Sequence, residues 1–321
     1  GWGPPFDSRG ESAYFLSVNR NKLSVAADLN RAEDVALLAR LIADADVVID
    51  NFLPGTLERR GLGPDVMTRR HPRLVWCTIS GFGGERARPG YDFVIQAESG
   101  WMAITGDPAG DPMKVGVALA DVLAGKDAAV AILAALLARE RTGLGRRVEI
   151  SLAASAKAAL VNVAQNALVT GEEPRRWGNA HPNLVPYQMF QAADRGLVIA
   201  VGSDAQWAAC VRVLGLSDLA DDEALKTNAG RVVARTRVTQ AIAARIAERP
   251  ASHWQRVLAE AGVPSGVVRS VLEVLAETAG ASPLSGLPSS VGGTIRRPPP
   301  GLDEHGARVR AEGWGAFGGP A

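Results

Sequence analysis

Cysteine is nearly missing from these 321 residues: only Cys77 and Cys210 occur. They lie far apart, with no CxxC or Cys/His spacing, which excludes a disulfide framework and a thiolate zinc site. The four histidines, His71, His181, His253 and His305, have no metal-ligand spacing either. Charge of one sign is not in excess: 35 basic residues face 34 acidic ones, for a net charge of +1. That removes the electrostatic footprint of a nucleic-acid binder. No apolar run approaches the roughly 20 residues that span a bilayer, since "AVAILAALLARE" soon ends in charges. The opening "GWGPPFDSRG" lacks the apolar stretch of a secretory signal. Neither "GFGG" nor "GLG" has the strand, spacing and later acid of a dinucleotide fingerprint, and no G-x-S-x-G elbow occurs. The expectation is a protein of the reducing cytoplasm, with no metal, no permanently bound cofactor, no nucleic-acid partner and no membrane partner.

What is present is α/β grammar. "LSVAAD" reads as a strand, "AEDVALLARLIADA" as an amphipathic helix, and "DVVIDNF" and "LVWCTIS" as buried strands. Strands alternating with helices predict a parallel sheet, whose ligands bind in the loops at the strands' carboxyl ends. Two such loops follow, at residues 51–60 and 81–92. A helix is predicted over about 122–141, then "VEISL" as a strand and a second Ala-rich helix to about Leu168. From Pro186 "YQMFQAADRGLVIAVG" reads as two strands around a turn, with helices near 204–214, 235–245 and 251–261. "RRPPPG" reads as an extended linker. The partition expected is a large domain over 1–175, a linker over 176–186, a smaller α/β domain over 187–275, and a C-terminal segment over 276–321 that returns to the large domain.

Asp121 is the acid at the point where "MKVGVALADV" turns into a helix. An Asp there is most often an N-cap; facing a cleft, the same carboxylate is a fixed nucleophile. The residues by themselves leave both open. "GGERARPGYD" is either a surface loop or an anion clamp walled by Tyr91. "NRNK" and "NFLPGTLERRG" each place amides and cations at a strand boundary.

The order of these pieces resembles the class III CoA-transferase family, also called the CaiB/BaiF family. The residues that carry the resemblance are "SVNRNKLSVAADL", "ADVVIDNFLPGTLERRGLG", "HPRLVWCTISGFGG", "RPGYDFVIQAESGWMAITG", "PMKVGVALADVLAGKDAAVAILAALLARERTGLGRRVEISL", "GNAHPNLVPYQMF" and "RRPPPGLDEH". The resemblance implies an opened Rossmann-like large domain plus a smaller α/β domain in an interlocked homodimer. It makes Asp121 the catalytic nucleophile, which exchanges CoA between carboxylic acids through a covalent aspartyl intermediate, with coenzyme A as co-substrate. Asn51, Phe52 and Arg59 are then expected to line the CoA site, with Lys22 near the nucleotide phosphates. The "GNAHPNLVP" loop, with His181 and Asn183, shields the intermediate from water. The branch resembled most suggests succinyl-CoA as donor and a small dicarboxylate as acceptor, in a pocket with Tyr91 and Arg88, flanked by Arg86 and Lys114.

The family's members carry a further strand-helix-strand stretch ahead of "GWGPPF" and a strand-rich segment after "VLAET", so the chain is expected to be short at both places. Two alternatives remain. An α-methylacyl-CoA racemase shares this fold and this Asp, but has His where Tyr91 stands. The other is a CoA-binding subunit without catalysis.

Overall fold

The computed structural model describes residues 2–84, 88–288 and 293–318. The chain divides into two compact units: Gly1–Met102 with Lys114–Glu172 and Leu275–Ala321, and Ala103–Met113 with Glu173–Val274.

The first unit begins with α1 (Ala13–Val18) and α2 (Ala32–Ala43), then runs β1 (Val47–Asp50), α3 (Pro64–Arg70), β2 (Val75–Ser80), α4 (Asp92–Glu98) and the start of α5 (Trp101–Ile104). It resumes with α6 (Leu119–Thr142), β3 (Arg147–Ser151), α7 (Leu152–Ala158) and α8 (Val161–Thr170). The strands form a parallel sheet in the order β1-β2-β3, with Ile49 beside Cys77 and Cys77 beside Val148. Val75, Trp76 and Cys77 are buried on both faces of the central strand, as a helix-covered parallel sheet requires. At the amino ends, the Arg139 guanidinium donates to the Asp46 and Arg73 carbonyls and pairs with the Asp46 carboxylate at 2.9 Å. The carboxyl ends are thereby left to the loops.

Helix α6 lays its small residues Ala120, Ala124, Ala128 and Ala135 inward and turns the larger Val130, Leu133 and Leu137 outward, each about two thirds exposed. Small inward side chains let the helix axis approach the sheet closely. The anticipated second Ala-rich helix is two helices, because Val161 at φ 43° interrupts it.

In the second unit β4 (Tyr187–Gln191), β5 (Gly196–Ala200) and β6 (Ser265–Val267) form an antiparallel sheet in that order. Helices α12 (Arg235–Ile246) and α13 (Ala251–Glu260) pack against it, joined by α9 (Asp204–Leu214), α10 (Ser217–Ala220) and α11 (Asn228–Val233), around a core that includes Phe190, Leu197, Trp207, Ile242, Trp254 and Leu258. Arg176 fixes the 103–113 segment by donating to the Ala103, Asp107 and Gly110 carbonyls, so that segment groups with this unit although the sequence had placed it in the large domain. After α14 (Val271–Leu275) come α15 (Gly306–Glu312) and a short 3-10 helix, Gly313–Phe317.

Two expectations need correction. "LSVAAD" is not a strand. Its backbone is satisfied by the C-terminal segment: Ser24 N donates to His305 Nδ1 at 3.3 Å, the Ser24 carbonyl accepts from His305 N, and Ala26 N donates to Asp303 Oδ1 at 2.7 Å. "RRPPPG" is not a free linker either, for Pro299 and Pro300 are buried and the amides of Arg296 and Arg297 donate to Asn21 Oδ1.

Candidate active site

The site assembles at the carboxyl ends of β1 and β2. After β2 the chain leaves through Gly81 and returns through Gly90, whose backbones touch: a Cβ on Gly81 would lie 2.5 Å from the Gly90 Cα. This pinch delivers Tyr91 as the N-cap of α4 and Asp92 as its first residue. One turn on, the fully buried Gln96 donates to Asp92 Oδ2 at 2.6 Å, while its own Oε1 accepts from Val115 N at 2.9 Å. The segment leading into α6 is thus tied to α4.

Asp121 is the third residue of α6, inside the helix rather than ahead of it, so it is not the N-cap. The cap residue is Ala118, which has no side chain to bond. Its role is taken from a distance by Asp92 Oδ1, which accepts from Ala120 N at 2.8 Å and Asp121 N at 3.4 Å. Those are the amides an N-cap carboxylate would satisfy. Relieved of that duty, the exposed Asp121 accepts no hydrogen bond at its carboxylate among the described residues. Partial burial by protein packed to one side, and then the neighbouring Asp92 charge, push its carboxyl above the usual range. Asp121 remains open to solvent, so the desolvation behind that shift comes from one side only and not from enclosure.

Around this carboxylate pair the structure adds to Tyr91, which the sequence singled out, two aromatic rings that it did not, Trp2 and Tyr14. Trp2 stacks on Tyr14 with centroids 5.8 Å apart and meets Tyr91 at 6.0 Å. All three are exposed. Only their exposure marks Trp2 and Tyr14, and exposure is not written in sequence. Arg88 is engaged: its guanidinium forks onto Glu98, with one bond at 2.9 Å, and lies over the Phe82 ring at 4.4 Å. Among the described residues Lys114 donates only to the Val115 carbonyl. Arg86 lies outside the described residues.

At the end of β1, Asp50 Oδ2 accepts from Trp76 Nε1 at 2.7 Å and Thr78 Oγ1 at 2.8 Å, and Oδ1 accepts from Phe52 N at 3.2 Å. This anchors the exposed Asn51 and Phe52 to the sheet. Arg59 folds back so closely that a Cβ on Gly55 would sit 2.8 Å from its Nη1, and Gly55 has φ 84°. Only glycine suits that position. Arg59, Arg60 and Arg70 help line a cavity of about 730 Å³ beside α2. Lys22 donates to the Val18 carbonyl and to Asn19 Oδ1, both at 3.0 Å, at the end of α1.

His181 and Asn183 belong to the second unit. So does a cavity of about 610 Å³ walled by Trp207, Val211 and Leu216, which contains none of the residues expected to act. Among the described residues no group of three or more His, Cys, Asp or Glu is placed to hold a metal ion, and no helix is long and apolar enough to cross a membrane.

Residues 1–282 match the profile of CoA-transferase family III. Succinyl-CoA:glutarate CoA-transferase of Mus musculus is 40% identical over 279 residues, which are 86% of this chain and 64% of that protein. The chain therefore spans somewhat less than two thirds of that relative's length. Succinate–glutarate CoA-transferase of Agrobacterium fabrum is 40% identical over 284 residues, 86% of this chain and 71% of its own. Among solved structures, a CAIB/BAIF family protein from Brucella suis superimposes with a TM-score of 0.84 at 38% identity, covering 97% of this chain and 87% of that one. By sequence and by mixed α/β fold, the chain belongs to CoA-transferase family III.

Proposed function

We propose that this protein transfers CoA from succinyl-CoA to a small dicarboxylic acid, with Asp121 as the covalent nucleophile. The observation that carries the reading is the pairing of Asp92 and Asp121: one carboxylate caps the helix, and the other is left exposed at the same helix start, unbonded among the described residues. A carboxylate made more basic by partial desolvation, and then by its neighbour's charge, is the stronger nucleophile.

An Asp121 oxygen attacks the thioester carbonyl, the C–S bond breaks, and CoA leaves as thiolate beside a mixed anhydride. The thiolate attacks the aspartyl carbonyl and expels the donor acid as its carboxylate, which leaves Asp121 as a CoA thioester. The acceptor carboxylate attacks that thioester and frees the thiolate. The thiolate then takes the acceptor's acyl group, and Asp121 is regenerated. Charge and atoms balance with no net proton and no nucleotide. Positioning supplies the acceleration, through the Gln96–Asp92 tie and the β2 loop. The Asp50-anchored Asn51 and Phe52, together with Arg59 and Lys22, would receive CoA, and the Trp2–Tyr14–Tyr91 rings give the acyl chain an apolar wall. Arg88 would read a distal carboxylate only by exchanging it for Glu98.

The outward Val130, Leu133 and Leu137 stripe on α6 suits a second copy of the chain, in a homodimer. Two buried, unpaired cysteines accord with the cytoplasm. Tyr91 disfavours the racemase reading, which has a histidine at this position as the second proton-transfer group. The test is mass spectrometry of the protein with succinyl-CoA. Hydroxylamine should leave a hydroxamate on Asp121, whereas transfer without any Asp121 adduct would remove the covalent mechanism.

A further inference from the structure

The second unit's cavity of about 610 Å³ runs along α9 and is of a size that suits a small molecule. Its shape follows from spacing on that helix. Asp204, Trp207, Ala208, Val211 and Arg212, three and four residues apart, share one face and line it. Ala208 is small and exposed where a longer side chain would fill the groove. Gly215, at φ 67°, ends the helix and turns the chain, so that Leu216 and Asp221 line the cavity too.

The cavity holds a donor that is not spent. Among the described residues four tryptophans are buried: Trp76, Trp101, Trp207 and Trp254. Three of them donate their indole N–H, to Asp50 Oδ2 at 2.7 Å, the Ala156 carbonyl at 2.9 Å and the Ile246 carbonyl at 2.8 Å. Trp207, 2% exposed, donates to nothing among the described residues, although a buried indole N–H usually finds an acceptor. The ring is held in place. The Arg231 guanidinium lies 5.2 Å from its centroid and is itself fixed by the Val185, Leu225 and Lys226 carbonyls and by Asp204 Oδ1.

Charges of both signs stand around this donor. Arg212 and Asp221 are exposed, and among the described residues neither side chain makes an ion pair or a hydrogen bond. Asp204 gives Arg231 only Oδ1, and Lys226 pairs with the exposed Glu223. A simple anion entering here meets two carboxylates, and a simple cation meets Arg212 and Lys226. A zwitterion with an apolar body meets a partner for each of its parts.

We propose that this cavity binds a free α-amino acid with an apolar side chain. Its carboxylate accepts from Trp207 Nε1–H in the field of the two cations, its ammonium donates to Asp221, and its side chain lies against Val211 and Leu216. None of these residues is assigned to CoA exchange, so basal exchange activity should be the same in the variants below.

Calorimetric titration of the whole chain with leucine and phenylalanine tests the site, with N-acetyl-leucine and leucinamide as controls that each lack one charge. Leucine should bind the unaltered protein, and each control should bind at least about tenfold more weakly. Trp207→Phe keeps a ring and loses the N–H, and Asp221→Asn keeps the size and loses the charge. Each should weaken leucine binding about tenfold. Asp221 anchors nothing through its side chain among the described residues, so Asp221→Asn should melt with the parent and gives a reading even where Trp207→Phe folds poorly. Binding of neither amino acid, controls that bind as tightly as leucine, or an Asp221→Asn protein that binds leucine as the parent does would each overturn the proposal.

Discussion

The two units finish their interiors to different degrees. The second closes a single core around Trp207, Ile242, Trp254 and Leu258, and its one fully buried guanidinium, Arg231, has every nitrogen engaged by carbonyls or by Asp204. Among its described residues the first groups buried apolar side chains into three smaller clusters, turns large aliphatic side chains of its longest helix outward, and leaves the Asp121 carboxylate without a hydrogen bond. Burial completed within a unit serves its stability, whereas apolar surface and carboxylates left open are available to something outside it.

Removing the open carboxylate is the severest test of that contrast. Asp121→Ala should lower CoA exchange by at least about a thousandfold, while its unfolding free energy stays within about 1 kcal/mol of the parent, read by an exchange assay and urea denaturation. Collapse of the fold would instead make Asp121 structural. The second test sets one apolar residue of each unit against the other. Ile242→Ala, in the closed core, should cost about 2–5 kcal/mol. Leu133→Ala, on the open face of α6, should change the unfolding free energy of a dilute sample by no more than about 0.5 kcal/mol, while sedimentation shows weakened self-association. Equal costs at the two sites would erase the distinction.

Asp92→Asn probes the cap. The helix should lose about 1 kcal/mol, because the Asn amide faces the Gln96 donor. With the neighbouring charge gone the Asp121 carboxyl ionises more readily, so the acid limb of the kcat/KM profile should move to lower pH. A limb that stays put, or moves up, would show that Asp92 does not act on Asp121 electrostatically. The smallest effect is expected of Asp121→Asn. A carboxyl whose folded pKa lies above its unfolded value contributes least stability once ionised. The variant should therefore gain slightly over the parent at neutral pH, and the gain should vanish as pH falls below the ordinary value of 3.8. A gain that persists in acid would assign the effect to packing.

The βαβ succession, the hairpin before residue 200 and the helices over 204–214, 235–246 and 251–260 were legible because hydrophobic periodicity is local. "LSVAAD" misled for the same reason. Its alternation is strand-like, but its hydrogen bonds go to His305 and Asp303, nearly 280 residues away. "RRPPPG" has a linker's composition, and only packing buried its prolines.

For the site, sequence by itself determined that an acid stands at the start of the Ala-rich helix and that motifs around it fit a CoA-transferase. It could not choose between a cap and a free carboxylate, because both need the same residue at nearly the same position. Tertiary structure made that choice by bringing Asp92, 29 residues earlier, onto the helix amides. It likewise gathered Trp2, Tyr14 and Tyr91 into one aromatic group and engaged Arg88 with Glu98. A side chain's residue type is fixed where it stands in the chain, but whether its charge or lone pairs are already spent depends on which distant atoms the fold brings within about 3 Å.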